Sequence, residues 1–255
     1  MRYELLGPMR LVDGTGTSAI SARKVETVLA VLLIRSDQVV SFDRLMAEIW
    51  GDGLPRRATA GLHVYVSQLR KFLRRPGRAD SPVATRVSGY ILHKGVDEID
   101  FHVFLQLMNQ GRAHARECRH AEAIACFDDA LNLWRGPVLG GLRSGPIVDG
   151  FVTWLTESRL ECMELLIDAQ LQLGRHRELV GRLYSLVAEN PLRETFHRQL
   201  MLALYRSERQ ADALKVYQTA RYTLSQELGL EPCRALQDLQ RAILAGDRGL
   251  DACAI

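Results

Sequence analysis

Long apolar runs, paired cysteines and lysine are scarce in this 255-residue sequence. No stretch approaches the roughly 18 uninterrupted apolar residues of a membrane-spanning helix. The best candidate, Val25 to Ile34, contains Glu26 and Thr27 and stops at Arg35. The N-terminus reaches no apolar signal region before Gly7-Pro8, so no secretory peptide is visible and a cytoplasmic protein is expected. The five cysteines (Cys118, Cys126, Cys162, Cys233 and Cys253) are odd in number and never form Cys-x-x-Cys, which argues against a disulfide framework and a structural zinc site. Gly 20 and Pro 8 are too few for a low-complexity chain. There is no Gly-x-x-x-x-Gly-Lys-Ser/Thr phosphate loop and no nucleophile elbow, and the seven histidines are dispersed. No catalytic residue, metal or cofactor is therefore expected, and the chain is not read as an enzyme.

An apolar share of 47% is enough for a sizeable core. The net charge of +3 hides an asymmetry. Residues 1–96 carry 15 Lys/Arg against 8 Asp/Glu, whereas residues 97–255 carry 18 against 22. From Gly53 to Ala79 there are seven cations (Arg56, Arg57, Arg70, Lys71, Arg74, Arg75, Arg78) and no acid. Such a split suggests that one half meets a polyanion and the other does not.

The basic half reads as strands, three helices and a hairpin. Tyr3–Leu6 and Met9–Val12 are short apolar-rich runs, Asp13 to Gly16 is a turn, and Ser18–Ile20 is a third strand candidate. Ser21 is placed to cap a helix running to about Arg35, with Val25, Val28, Leu29, Leu32 and Leu33 on one face. Ser41 is placed to cap a second, Phe42 to Trp50. In a third, roughly Arg57 to Arg75, Leu62, Val66, Leu69 and Leu73 form a seam widened by Tyr65 and Phe72. Stepping about 100° per residue, the opposite arc holds Ala60, His63, Val64, Ser67, Gln68, Lys71 and Arg74. Small or hydrogen-bonding residues come first and cations follow, an order suited to a helix that enters the major groove and then crosses phosphates. After Pro76-Gly77-Arg78, residues 84–92 read as a hairpin with Gly89 supplying the turn and Arg86 and Tyr90 flanking it, a basic wing.

The second half is helical from Phe101 to Ala245. Leu179, Leu183 and Leu186 match Ala213, Tyr217 and Ala220 at an offset of 34, the tetratricopeptide period. Gly111, Ala123, Phe127 and Ala130 occupy the same relative places in an earlier unit, one repeat plus the Gly/Pro-rich insert from Arg135 to Pro146 away. These positions are assigned to packing.

The expected fold is thus mainly α with a small α+β part: an N-terminal winged helix-turn-helix over 1–96, a tetratricopeptide-like domain over 97–247, and a tail over 248–255. Ser41-Phe42-Asp43-Arg44-Leu45, Ile49-Trp50-Gly51, His63 to Lys71, Thr85-Arg86 and Gly89-Tyr90 resemble the winged helix of OmpR-type regulators. In the second half, Asp100-Phe101, Ala121-Glu122-Ala123, Leu131 with Trp134-Arg135-Gly136, Pro191 to Glu194, Arg209 to Leu214 and Glu227 to Pro232 match the bacterial transcriptional activation domain. Together the halves, over about residues 2–245, resemble the Streptomyces antibiotic regulatory proteins. Two departures stand out: Arg193-Glu194-Thr195-Phe196 lacks a second acid, and Arg206-Ser207-Glu208-Arg209 lacks the usual Gly.

The resemblance implies a sequence-specific activator of a secondary-metabolite gene cluster. It would bind direct repeats near the promoter −35 region, with a second protomer beside it. Its partners would be double-stranded promoter DNA and RNA polymerase holoenzyme including the principal sigma factor; no membrane is involved, and the expected location is the nucleoid. Base-reading candidates are His63, Val64, Ser67 and Gln68. Phosphate or backbone candidates are Arg56, Arg57, Thr59, Arg70, Lys71 and Arg74, and the wing contributes Thr85, Arg86 and Tyr90. Trp50 and Tyr65 are read as packing. The competing reading is a tetratricopeptide scaffold whose winged helix has become a protein-binding module.

Overall fold

The computed structural model describes residues 1–14, 16–74 and 81–250. Arg75, Arg78, the Pro76-Gly77 break, Cys253 and most of the tail lie outside the described residues. The chain divides into two compact units, Met1–Leu107 with Asp129–Leu160, and Met108–Asp128 with Glu161–Ile255.

In the first unit, strands β1 (Arg2–Glu4), β2 (Arg10–Asp13), β3 (Gly16–Ser18) and β7 (Glu98–Ile99) form a sheet in the order β3-β2-β1-β7. β1 pairs antiparallel with β2 and parallel with β7, a strand too short to leave a period in the sequence. The β1 end is fixed by charge. The Asp100 carboxylate accepts from the Leu5 and Leu6 amides at 2.8–2.9 Å, and the N-terminal ammonium lies 3.1 Å from Asp97. Burial pushes the Asp100 carboxyl above its usual range, while those amides and the Arg135 charge pull it back.

Helix α1 (Arg23–Ile34) begins after Ala22 with no side-chain cap, so Ser21 does not serve as one. Its buried residues include Val25, Val28, Leu29, Leu32 and Leu33, as the periodicity predicts. Helix α2 (Phe42–Trp50) is capped by Ser41, whose Oγ accepts from the Arg44 amide at 3.3 Å. Helix α3 (Ala58–Phe72) buries Leu62, Val66 and Leu69, and Leu73 is buried just beyond it. A second sheet has the order β4-β6-β5, with β4 at Val40–Ser41, β5 at Val83–Arg86 and β6 at Gly89–Leu92.

The wing turn is Val87-Ser88, between Arg86 and Gly89, which pair across it. Gly89 therefore does not form the turn as expected. It pairs with Ser41 of β4, and a Cβ there would collide with the Val40 carbonyl. Close backbone approach, rather than turn geometry, is what requires glycine at this position.

Helix α4 (Asp100–Arg116), helix α5 (His120–Asn132) and helix α6 (Pro146–Gln172) contribute residues to both units. Within the first unit, buried Glu48 of α2 accepts from the amides of Ile147 and Val148 at 2.6 and 3.3 Å. A carboxylate thus caps the α6 N-terminus, the end favoured for negative charge.

The second unit is helical. It contains α7 (His176–Glu189), α8 (Glu194–Arg206), α9 (Gln210–Leu228) and α10 (Arg234–Ala245). α7 and α9 start 34 residues apart, and their matched positions Leu179, Leu183, Leu186, Ala213, Tyr217 and Ala220 are all buried. Ala123 and Phe127 are buried as well, and Gly111 lies so close to the Phe127 ring that a Cβ there would collide with it. Burial pushes the Cys162 thiol up to about 12, so it stays protonated at neutral pH, with Sγ 3.8 Å from the Phe127 carbonyl. Among the described residues the cysteines are unpaired, no group of three or more His, Cys, Asp or Glu could hold a metal ion, and no helix is long and apolar enough to cross a membrane.

The loops entering these helix pairs share one backbone feature. Cys118, Gly174 and Glu208, each the second residue beyond α4, α6 and α8, have φ of 57°, 73° and 62°. The left-handed conformation is therefore a property of the turn, kept at Glu208 even though the glycine is missing. An L side chain there costs about 1–2 kcal/mol, of which glycine's greater unfolded-state freedom takes back about 0.5–1 kcal/mol. Glu208→Gly is expected to raise stability by about 0.5–1 kcal/mol in urea unfolding of the full chain; an unchanged or lower midpoint contradicts the strain assigned to this turn.

Candidate nucleic-acid interface

The candidate interface is built on α3. One face supplies its buried seam, and the opposite arc (Ala60, His63, Val64, Ser67, Gln68, Lys71 and Arg74) is exposed throughout, as the 3.6-residue period dictates. Val64, 52% exposed, is an apolar side chain left in solvent. The side chains of Ser67, Gln68, Lys71 and Arg74 have no partner among the described residues. No acid stands in the first turn of α3; instead Arg56 and exposed Arg57, its N-terminal flanking residue, lie there. Cations at a helix N-terminus oppose the macrodipole, so helix stability does not account for them. Thr59 is exposed, with its hydroxyl 3.8 Å from the Met46 sulfur.

His63 and Arg70 stand apart from the rest. They lie seven residues apart, two turns along α3, and both reach the hairpin β5–β6. His63 Nδ1 shares a 2.6 Å hydrogen bond with the Tyr90 hydroxyl. Arg70 Nε donates to the Val83 carbonyl at 3.0 Å and Nη2 to the Thr85 hydroxyl at 2.8 Å, with the guanidinium 5.7 Å from the Tyr90 ring centre. Tyr90 is buried and packs edge-on against Phe42 at 5.4 Å. Burial pushes the Tyr90 phenol above its usual range, and the Arg70 charge opposes the shift. Tyr90 therefore faces inward from the wing, and the Arg70 fork is committed within the domain.

The exposed part of the wing is Thr85 to Ser88. Arg86 is exposed, with one guanidinium nitrogen 3.2 Å from His93 Nε2. Val87 at the tip is fully exposed, with a relative accessibility of 104%. The sequence reading missed Val87 because it put the turn at Gly89; the Arg86–Gly89 spacing of a two-residue hairpin was the available signal. Trp50 and Tyr65 are packing residues, with ring centres 5.8 Å apart and Lys24 over the Trp50 ring.

The arrangement is an exposed, acid-free helix face running from hydrogen-bonding to cationic residues, beside an anchored hairpin with a solvent-facing tip. Arg70→Ala is expected to loosen that hairpin: amide exchange at Thr85 and Arg86 should speed up by about 10- to 150-fold while the α3 seam keeps its protection, because charge-assisted bonds of this kind contribute about 1.5–3 kcal/mol. Unchanged exchange across the wing contradicts the anchoring role.

Residues 18–92 match the family of transcriptional regulatory protein C-terminal domains, and residues 99–244 match the bacterial transcriptional activator domain. The regulatory protein DnrI of Streptomyces peucetius is 36% identical over 98% of this chain and 94% of its own length. The transcriptional regulator RedD of Streptomyces coelicolor is 35% identical over 97% of this chain and 71% of its own. The regulatory protein AfsR of Streptomyces griseus is 34% identical over 98% of this chain, which corresponds to a quarter of AfsR. A solved structure of Mycobacterium tuberculosis EmbR in complex with a low-affinity phosphopeptide superposes with a TM-score of 0.90 at 31% identity, covering 98% of this chain and 68% of that one. With both domain families present in this order and full-length relatives at this identity, the chain belongs to the Streptomyces antibiotic regulatory protein family of transcriptional regulators, an OmpR-type winged helix joined to a bacterial transcriptional activator domain.

Proposed function

We propose that the protein is a sequence-specific DNA-binding activator of a secondary-metabolite gene cluster, acting in the cytoplasm at the nucleoid and performing no catalysis. One observation carries the reading: the outer arc of α3 is exposed, free of acids, and ordered from Val64, Ser67 and Gln68 to Lys71 and Arg74. A major groove admits a helix, Gln pairs with adenine, and a Val methyl packs on thymine. His63 presents its remaining ring edge beside them. Arg56, Arg57, Thr59, Lys71 and Arg74 flank this row and take the phosphates, while Arg86 and Thr85 bring the wing to the neighbouring groove or backbone. Arg70 and Tyr90 act through the wing that they anchor.

Two protomers would bind side by side on direct repeats near the −35 region. A spacing of about 10–10.5 bp, one helical turn, puts both on one face of the duplex. The domain boundary near residue 96 separates the DNA-binding part from the part that meets the neighbouring protomer and RNA polymerase holoenzyme with its principal sigma factor. The charge split along the chain, basic before residue 96 and slightly acidic after it, supports this division of labour.

Fluorescence anisotropy on duplexes from the upstream regions of the surrounding gene cluster tests the proposal. Each phosphate neutralised contributes about 0.9 to the slope of log affinity against log salt. The double variant Lys71→Ala with Arg74→Ala is expected to flatten that slope by about 2 and to weaken binding to all sequences alike; an unchanged slope contradicts their phosphate role. Gln68→Ala is expected to cost about 1–3 kcal/mol of discrimination at one base position while non-specific affinity holds; an unaltered motif selected from a random pool contradicts base reading by Gln68.

A further inference from the structure

The first unit contains a cavity of about 360 Å³ lined by the end of α1, at Ile34 and Arg35, and by the starts of α4 and α6. Three aromatic rings belong to its lining. Phe101 and Phe151, both buried, meet edge-on with ring centres 5.0 Å apart. The Trp154 ring centre lies 5.9 Å from that of Phe151 and 6.5 Å from that of Phe101. Trp154 is 46% exposed. Aromatic rings attract one another at centre separations of roughly 4.5–7 Å, so a further ring beside Trp154 would extend a cluster already in place.

Two further features point to an occupant. Ile147, Gly150, Phe151 and Trp154 all line the cavity and follow one another at i, i+3, i+4 and i+7, so position 150 stands on the cavity face of α6. Glycine weakens a helix interior relative to alanine. Gly150 does not have a positive φ, and a Cβ there would meet nothing within 4 Å. Neither backbone conformation nor packing requires glycine at this position; its effect is to keep the face open. The second feature is Arg35, which is exposed and whose guanidinium has no partner among the described residues. No acid lines the cavity among the described residues. His102, half-buried with its ring centre 4.2 Å from that of Phe101, is pushed below its usual range by burial and by Lys94, so Arg35 carries the fixed charge. An adjoining cavity shares Arg35 and adds Arg44 and Glu48, and the Glu48 carboxylate is already held by the Ile147 and Val148 amides.

We propose that this cavity binds a planar aromatic carboxylate, with its ring against Trp154 and Phe151 and its carboxylate on the Arg35 guanidinium. The volume is within the roughly 300–1,000 Å³ range of small-molecule sites, which combine apolar walls with a few placed polar groups. A guanidinium fork matches a carboxylate bidentately, and the pairing is stronger than one between neutral groups. The inference is independent of the DNA-binding reading. Ile34 and Arg35 fall in the first domain match, residues 18–92, whereas Phe101, Phe151 and Trp154 fall in the second, residues 99–244. A bound molecule therefore touches both, which gives the chain a means of sensing an aromatic acid.

The test uses the full chain and two probes, without DNA. 2-Naphthoate carries the charge; methyl 2-naphthoate has the same ring without it. Calorimetry is expected to show saturable binding of 2-naphthoate, about fivefold tighter than that of the ester, the upper range for an exposed ion pair. Amide shifts are expected to centre on Arg35, Gly150 and Phe151. Arg35→Gln is expected to keep binding of the ring and abolish the preference for the acid. Gly150→Leu puts a side chain on the cavity face and is expected to block both probes while the thermal midpoint holds or rises, because leucine is the better helix former. Should Gly150→Leu fail to fold, the Arg35→Gln result decides. Equal affinity for the two probes, absence of saturable binding, amide shifts elsewhere, a preference retained by Arg35→Gln, or binding unaffected by Gly150→Leu overturns the proposal.

Discussion

His63 and Arg70, two turns apart on α3, hold the hairpin that follows them, and the shape of the exposed face that α3 and the hairpin share depends on that hold. The Tyr90 hydroxyl and the Thr85 side chain receive the two grips, and the Val83 carbonyl receives a third. A two-stranded hairpin is marginal on its own in water. Here it gains a third strand, Val40–Ser41, and close approach of that strand demands glycine at position 89. Helix α3 and the hairpin are therefore tied together at three hydrogen bonds. The outer residues of α3 are left free to meet a ligand because the inner ones and the two clamps carry the structure.

The same economy appears around the first sheet and the activator helices. Asp100 gathers the amides of Leu5 and Leu6, and Glu48 gathers those of Ile147 and Val148. Each carboxylate satisfies donors that would otherwise be buried unpaired, a loss larger than the net value of an ordinary hydrogen bond. These acids are not available to oppose the cations of α3. In the second unit, buried Gln199 plays a similar part through the Glu164 carbonyl and the Asp168 carboxylate.

Much of the fold was legible in the sequence because it follows period. The α3 seam and the 34-residue spacing of buried positions come from repeats that the sequence displays, and the Ser41 cap from a local residue type at a helix start. What was not legible depends on distant partners. β7 has two residues and exists because β1 lies beside it. Ser21 has the chemistry of a cap, yet the helix starts beyond it. Gly89 looked like a turn residue, and only the approach of β4 shows why it is glycine. At the site, the exposed arc was predicted residue by residue, since exposure is the complement of the seam. The commitment of Arg70 to the wing was hidden, because a cation on a basic helix carries no mark of where its fork points.

The central claim is that the outer face of α3 meets the bases of a duplex. An amide and side-chain NMR titration of the full chain with a promoter duplex from the surrounding gene cluster, at low ionic strength, tests it most directly. The account predicts saturable shifts along Val64, Ser67, Gln68, Lys71 and Arg74 and at Thr85 to Ser88, with Leu62, Val66 and Leu69 unmoved. Absence of saturable binding, or shifts confined to other surfaces, would contradict it.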